Sequence, residues 1–86
     1  MNAQAQDWDD LRLFLAVARE ESLSGAARVL GVTHSTVFRR IGAFEERLGV
    51  RLFERLPGGY ALTAAGEEMR DSVLRIEDEI AALALK

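Results

Sequence analysis

Between Ser24 and Ile41 the chain reads SGAARVLGVTHSTVFRRI, and no other stretch restricts the fold as tightly. Ala26, Ala27 and Leu30 form one apolar stripe at helical spacing, and Val37 and Ile41 form a second at i, i+4. Gly31 falls between the stripes, where a helix ends most easily in a left-handed residue that glycine adopts at little cost. Thr33 stands two residues later, placed to accept a backbone N–H of the next helix through its hydroxyl. Paired alanines let the two helices approach closely at a steep angle, which is the helix-turn-helix arrangement. The second helix keeps His34, Ser35, Thr36, Phe38, Arg39 and Arg40 on its remaining surface. That set of donors and cations suits the edges of bases and phosphates, so double-stranded DNA is the expected partner.

Eighty-six residues, 49% of them hydrophobic, make one small domain with a modest core. A chain this short gains from a partner subunit that buries more apolar surface. With no cysteine and one histidine it has neither a disulfide framework nor a zinc set, and no cofactor or metal is expected. No apolar run approaches the roughly 20 residues that span a bilayer, and the N-terminus is polar, so a soluble cytoplasmic protein without a membrane partner is expected. No nucleophile–base pair or phosphate loop is present, and His34 beside Ser35 makes no triad without a placed carboxylate, which argues against an enzyme.

The net charge of −3 is unusual for a nucleic-acid binder, whose affinity comes largely from neutralising phosphates. Its distribution resolves part of the conflict. Residues 1–32 carry five acids and three arginines, and residues 56–86 carry six acids and three bases. Residues 33–55 carry Arg39, Arg40, Arg47, Arg51 and Arg55 against three glutamates, a local +2. A localised patch governs docking, whereas the overall charge bears on solubility and steering.

Along the chain, Met1 to Gln6 is a polar lead expected to fray. Asp7 is a candidate N-cap for a first helix, with Asp9 and Asp10 favouring its positive end. Trp8, Leu11, Phe14, Leu15 and Ala18 form its buried stripe. Ser24 is the expected N-cap of the second helix. The third spans His34 to Leu48, with Val37, Ile41, Phe44 and Leu48 on one face and Gly49 as its stop. Pro57–Gly58–Gly59 separates two short apolar runs within 51–63, which predicts a β-hairpin wing. From Thr63, the next N-cap, Met69, Val73, Ile76, Ile80 and Leu83 are spaced 4, 3, 4, 3, a heptad seam. A helix of about 22 residues extends roughly 33 Å, longer than this domain needs for its own core, so the seam predicts a partner helix. The expected organisation is all-α with a small β-hairpin wing: residues 1–63 a winged helix-turn-helix, with the helix-turn-helix at 24–48, and residues 64–86 a linker helix for dimerisation.

Leu11, Phe14, Val17–Ala18, Ser22, Ala26–Ala27, Leu30, Val32, Val37, Arg39, Ile41, Glu45, Leu48–Gly49, Leu52–Phe53, Arg55, Leu62–Thr63 and Ala65–Gly66 stand at fixed offsets. In these positions the chain, from about Trp8 to Lys86, resembles the N-terminal domain of LysR-type transcriptional regulators. The resemblance implies a winged helix-turn-helix that dimerises through the linker helix and binds an interrupted, two-fold-related operator in a bacterial genome. It places Thr33 to Arg39 at the base-reading edge, Arg55 at the wing's base near the minor groove, and Ser24 on a phosphate. His34, Ser35 and Phe38 depart from the family's usual glutamine, proline and serine, which implies an altered base preference. The wing from Leu56 to Tyr60 lacks the cations that many relatives carry. The effector domain that follows the linker helix in the family does not follow here, so the chain reads as a fragment of a longer regulator, or else as a short protein. No small-molecule effector site is expected in it.

Individual residues keep alternatives. Arg39 either reads a base or contacts phosphate, or forms an ion pair with Glu45 or a neighbour. Arg40 faces the DNA, or the side of Phe44 or solvent. Phe38 either meets thymine methyl groups or folds back on the wing or first helix. A second reading of the whole, supported by the acidic charge, is a protein-interaction or dimerisation module on a winged scaffold that does not bind DNA.

Overall fold

The computed structural model describes residues 3–84, which run α1 (Ala3–Glu20), α2 (Leu23–Leu30), α3 (His34–Leu48), β1 (Phe53–Leu56), β2 (Gly59–Leu62) and α4 (Ala64–Ala84). The described part measures 43 × 27 × 27 Å. Helix α1 begins at Ala3, so Asp7 lies inside it rather than at its N-cap, and its first turn holds no acid. Of the polar lead, Ala3 to Gln6 belong to α1, while Met1 and Asn2 lie outside the described residues.

Five consecutive residues of α1, Leu13 to Val17, are buried. A single stripe predicts fewer; the difference arises because α1 packs against α2, α3, α4 and β2 together and so has little free surface. Of the expected stripe, Phe14 and Leu15 are central, Leu11 and Ala18 pack at the core's edge, and Trp8 is half-buried. Glu21 ends the helix at φ 58, with its N–H donated to the Val17 carbonyl at 2.8 Å.

Ser22, not Ser24, caps α2. Its extended backbone (φ −159, ψ 150) lets Oγ accept the Gly25 N–H at 2.9 Å. Beginning the helix at Leu23 puts Leu23, Ala26, Ala27 and Leu30 at i, i+3, i+4 and i+7, and the first three are buried together. Gly31 then closes α2 in the left-handed region (φ 72), and Thr33 opens α3 by accepting the Thr36 N–H at 3.1 Å. Gly49 (φ 71) ends α3 after Leu48. Val37, Ile41 and Phe44 face the core, but Leu48 is exposed, because the last turn of α3 outruns the elements that could cover it.

The two strands pair antiparallel, Phe53 opposite Leu62 and Leu56 opposite Gly59, leaving Pro57–Gly58 as the turn. The hairpin is anchored at two places. Phe53 enters the core with its ring 5.3 Å from Phe14 and 5.9 Å from Tyr60, distances at which aromatic pairs attract. The Tyr60 N–H donates to the Glu21 carbonyl at 3.0 Å, tying β2 to the α1–α2 corner. Thr63 donates its hydroxyl to the Arg51 carbonyl at 2.7 Å and accepts the Gly66 N–H at 3.0 Å, which caps α4. Gly66 comes so close to the Leu52 carbonyl that a Cβ there would stand 2.2 Å from its oxygen.

The heptad seam of α4 divides. Val73 is fully buried and Met69 packs against the domain's own core. Ile76, Ile80 and Leu83 are exposed, Leu83 at 72%. An ion pair of 3.0 Å between Arg19 and Glu77 ties α4 to α1 at the point where the seam leaves the core.

Candidate nucleic-acid interface

Helical geometry decides which α3 side chains share a face. With Val37, Ile41 and Phe44 inward, Ser35, Arg39 and Gly42 fall on the opposite arc, Phe38 lies at its flank and His34 stands at the first position of the helix. His34, Ser35, Phe38 and Arg39 are exposed, and nothing lies within 4 Å of where a Gly42 Cβ would stand. Thr33 and Thr36 are occupied at the helix start, their hydroxyl oxygens 2.8 Å apart, with Thr33 exposed and Thr36 half-buried. Ser24 is exposed on the first turn of α2.

The arc borders a groove of about 330 Å³ between α3 and the hairpin, lined by Phe38, Arg39, Arg51 and Arg55 among others, with Glu45 and Glu46 on its α3 wall. Arg39, Arg51 and Arg55 form no ion pair among the described residues. Arg51 was not among the residues expected at the site. Its place in the local cationic run was the signal that could have marked it. Phe38 is 45% exposed and reaches the wing, with the Arg55 guanidinium carbon 4.7 Å from its ring centroid.

Two charged groups belong to the scaffold. Asp10 is buried on α1 between Arg47, which donates a hydrogen bond to it, and Arg40, whose Nη2 is 3.6 Å away. Arg40 therefore does not line the groove; it pairs across to α1. Asp9 and Asp10 do not serve the helix start for which they were expected. Glu45 accepts the Leu52 and Phe53 amides at 2.8 and 3.1 Å and so is not the counter-ion of Arg39. Those bonds set where β1 begins and hence where Arg55 stands.

A helix-turn-helix whose second helix shows an exposed polar face, followed by a hairpin packed beside it, defines the winged helix-turn-helix class. The family model described as "Bacterial regulatory helix-turn-helix protein, lysR family" matches residues 8–67, and the chain belongs to that family. It is 45% identical over 73 residues to the HTH-type transcriptional regulator YofA of Bacillus subtilis, covering 81% of this chain and 26% of YofA. It is likewise 45% identical over 73 residues to the HTH-type transcriptional activator AmpR of Pseudomonas aeruginosa, covering 85% of this chain and 25% of AmpR. The chain thus spans about a quarter of the length of these relatives. Among solved structures, a complex of the CbnR DNA-binding domain with DNA superposes with a TM-score of 0.80 at 34% identity, covering 90% of this chain and 88% of that one. The BenM DNA-binding domain in complex with catB site 1 DNA superposes at 0.83 with 27% identity, covering 90% and 86%. No helix among the described residues is long and apolar enough to cross a membrane.

Proposed function

We propose that this chain is the sequence-specific DNA-binding domain of a bacterial transcription regulator, acting in the cytoplasm as a homodimer on an interrupted palindrome, and that it binds rather than catalyses. The observation that carries the reading is the groove between α3 and the wing, lined by three arginines without ion-pair partners among the described residues. A helix with an exposed polar N-terminal half enters a major groove, and cations beside it hold the flanking phosphates. His34, Ser35, Phe38 and Arg39 read base edges, with Thr33 and Thr36 fixing the helix start. Arg51 and Arg55 neutralise phosphate along the wing. Ser24 and Arg40, the latter held by Asp10, contribute flanking backbone contacts.

Residues 1–63 form the binding unit and residues 64–86 the linker helix, whose Ile76, Ile80 and Leu83 meet a second copy while Met69 and Val73 brace its base. A protein-interaction role without DNA would leave the arginine-lined groove unused. Selection from a random duplex library at two salt concentrations tests the proposal. Enrichment of an interrupted palindrome, with affinity falling as salt rises, is expected; recovery of no sequence, with no salt-dependent binding to bulk duplex, would refute it.

A further inference from the structure

Phe14, Phe44 and Phe53 are buried, but Phe38 keeps 45% of its surface exposed and neither belongs to the core nor packs against it. Its tertiary partner is Arg55, whose guanidinium carbon lies 4.7 Å from the ring centroid. The strand explains why the arginine arrives there. Successive residues of a strand face opposite ways, so Arg55 shares a hairpin face with Phe53 and stands opposite Tyr60 across the ladder. Phe53 is fixed in the core by the Phe14 and Tyr60 rings, and this sets the direction in which Arg55 leaves the rim.

An arginine on an exposed strand samples many rotamers, and ordering it on a ligand costs affinity. A ring face beneath the guanidinium restricts that sampling while leaving the in-plane N–H donors free for phosphate or a base edge. The same contact joins α3 to the hairpin near the groove's mouth.

We propose that Phe38 is a positioning residue, its ring holding the Arg55 guanidinium so that the recognition helix and the wing engage the duplex as one unit; this rests on the DNA-binding reading above. Phe38 then acts on affinity through Arg55 rather than by its own contact alone. The full chain is titrated, by anisotropy at low salt, against a short random-sequence duplex as wild type, F38S, F38L, F38Y, R55A and F38S/R55A. Thermal unfolding is recorded for each.

F38S and F38L, which lack a ring, weaken binding about three-fold, and F38Y, which keeps one, restores it. In the R55A background F38S costs less than it does with Arg55 present. F38S and R55A both flatten the dependence of log Kd on log salt, because both loosen the same cation. Equal losses from F38S with and without Arg55, or wild-type affinity for F38L, would overturn the coupling while leaving the DNA reading intact. Absence of binding by the wild type would overturn both. Should F38S fail to fold, the comparison of F38L with F38Y decides.

Discussion

The carboxylate of Glu45 on α3 accepts the backbone N–H of Leu52 at 2.8 Å, and the same oxygen accepts that of Phe53 at 3.1 Å. One side chain thereby satisfies two amides of buried residues just where the chain leaves the helical half for the wing. Buried donors left without acceptors are costly, so the bond stabilises the hairpin as well as aligning it. Glu45→Ala is expected to destabilise the domain by about 1–3 kcal/mol, and Glu45→Gln, which keeps an acceptor, by less. Denaturant unfolding checks both values, and equal losses would assign the effect to charge rather than to the hydrogen bonds.

Asp10 ties α1 to α3 through Arg40 and Arg47. Removing the carboxylate leaves two partly exposed arginines able to turn to water, so the loss is smaller than for an orphaned buried charge. Asp10→Asn is expected to cost about 1–2 kcal/mol in unfolding free energy. In that background Arg40→Ala should cost almost nothing further, a non-additivity that a double-mutant cycle reads directly.

Two glycines give opposite expectations. At Gly66 an added Cβ would meet the Leu52 carbonyl oxygen at 2.2 Å, and backbone cannot move aside cheaply. Gly66→Ala is expected to destabilise by about 2 kcal/mol or more. At Gly42, in the middle of α3 with open space around it, Ala should stabilise by about 0.5–1 kcal/mol through helix propensity. Melting temperatures of the two variants should therefore move in opposite directions.

The division of the α4 seam separates folding from assembly. Val73→Ala removes buried methyl groups and is expected to cost about 1–2 kcal/mol of unfolding free energy at fixed protein concentration. Ile80→Glu touches no core residue and should leave the monomer's fold intact while abolishing the dimer, as read by analytical ultracentrifugation. A dimer surviving Ile80→Glu would place the subunit interface elsewhere.

Local chemistry was legible in the chain; packing at long range was not. Gly31, Thr33 and Gly49 mark their helix ends because a left-handed glycine and a hydroxyl cap act within a few residues, and the turn at Pro57–Gly58 does the same for the hairpin. Ser22 and Ser24 could each cap α2, and what separates them is the burial of Leu23, a tertiary demand. Helical periodicity supposes one covered face, so it under-counted the core of α1, which is covered on several sides. The seam spacing read all five residues of α4 as one face without revealing that Met69 and Val73 serve their own domain. Arg40's partner lies 30 positions earlier in the sequence, and only the packing of α1 on α3 reveals it. Phe38 and Arg55 are likewise joined by the fold alone.

Arg39 is exposed and lines the groove with no ion-pair partner among the described residues. Arg39→Ala should weaken duplex binding by about ten-fold and flatten its salt dependence, without lowering the melting temperature.

Titration of the isotope-labelled chain with duplex DNA, followed by backbone amide NMR shifts, tests directly whether α3 and the wing bind the duplex. The largest changes are expected on Thr33 to Arg40 and on Arg51 to Tyr60, while the inner face of α1 is unmoved. Shifts confined to Ile76 to Leu83, or no shifts at low salt, would contradict that binding.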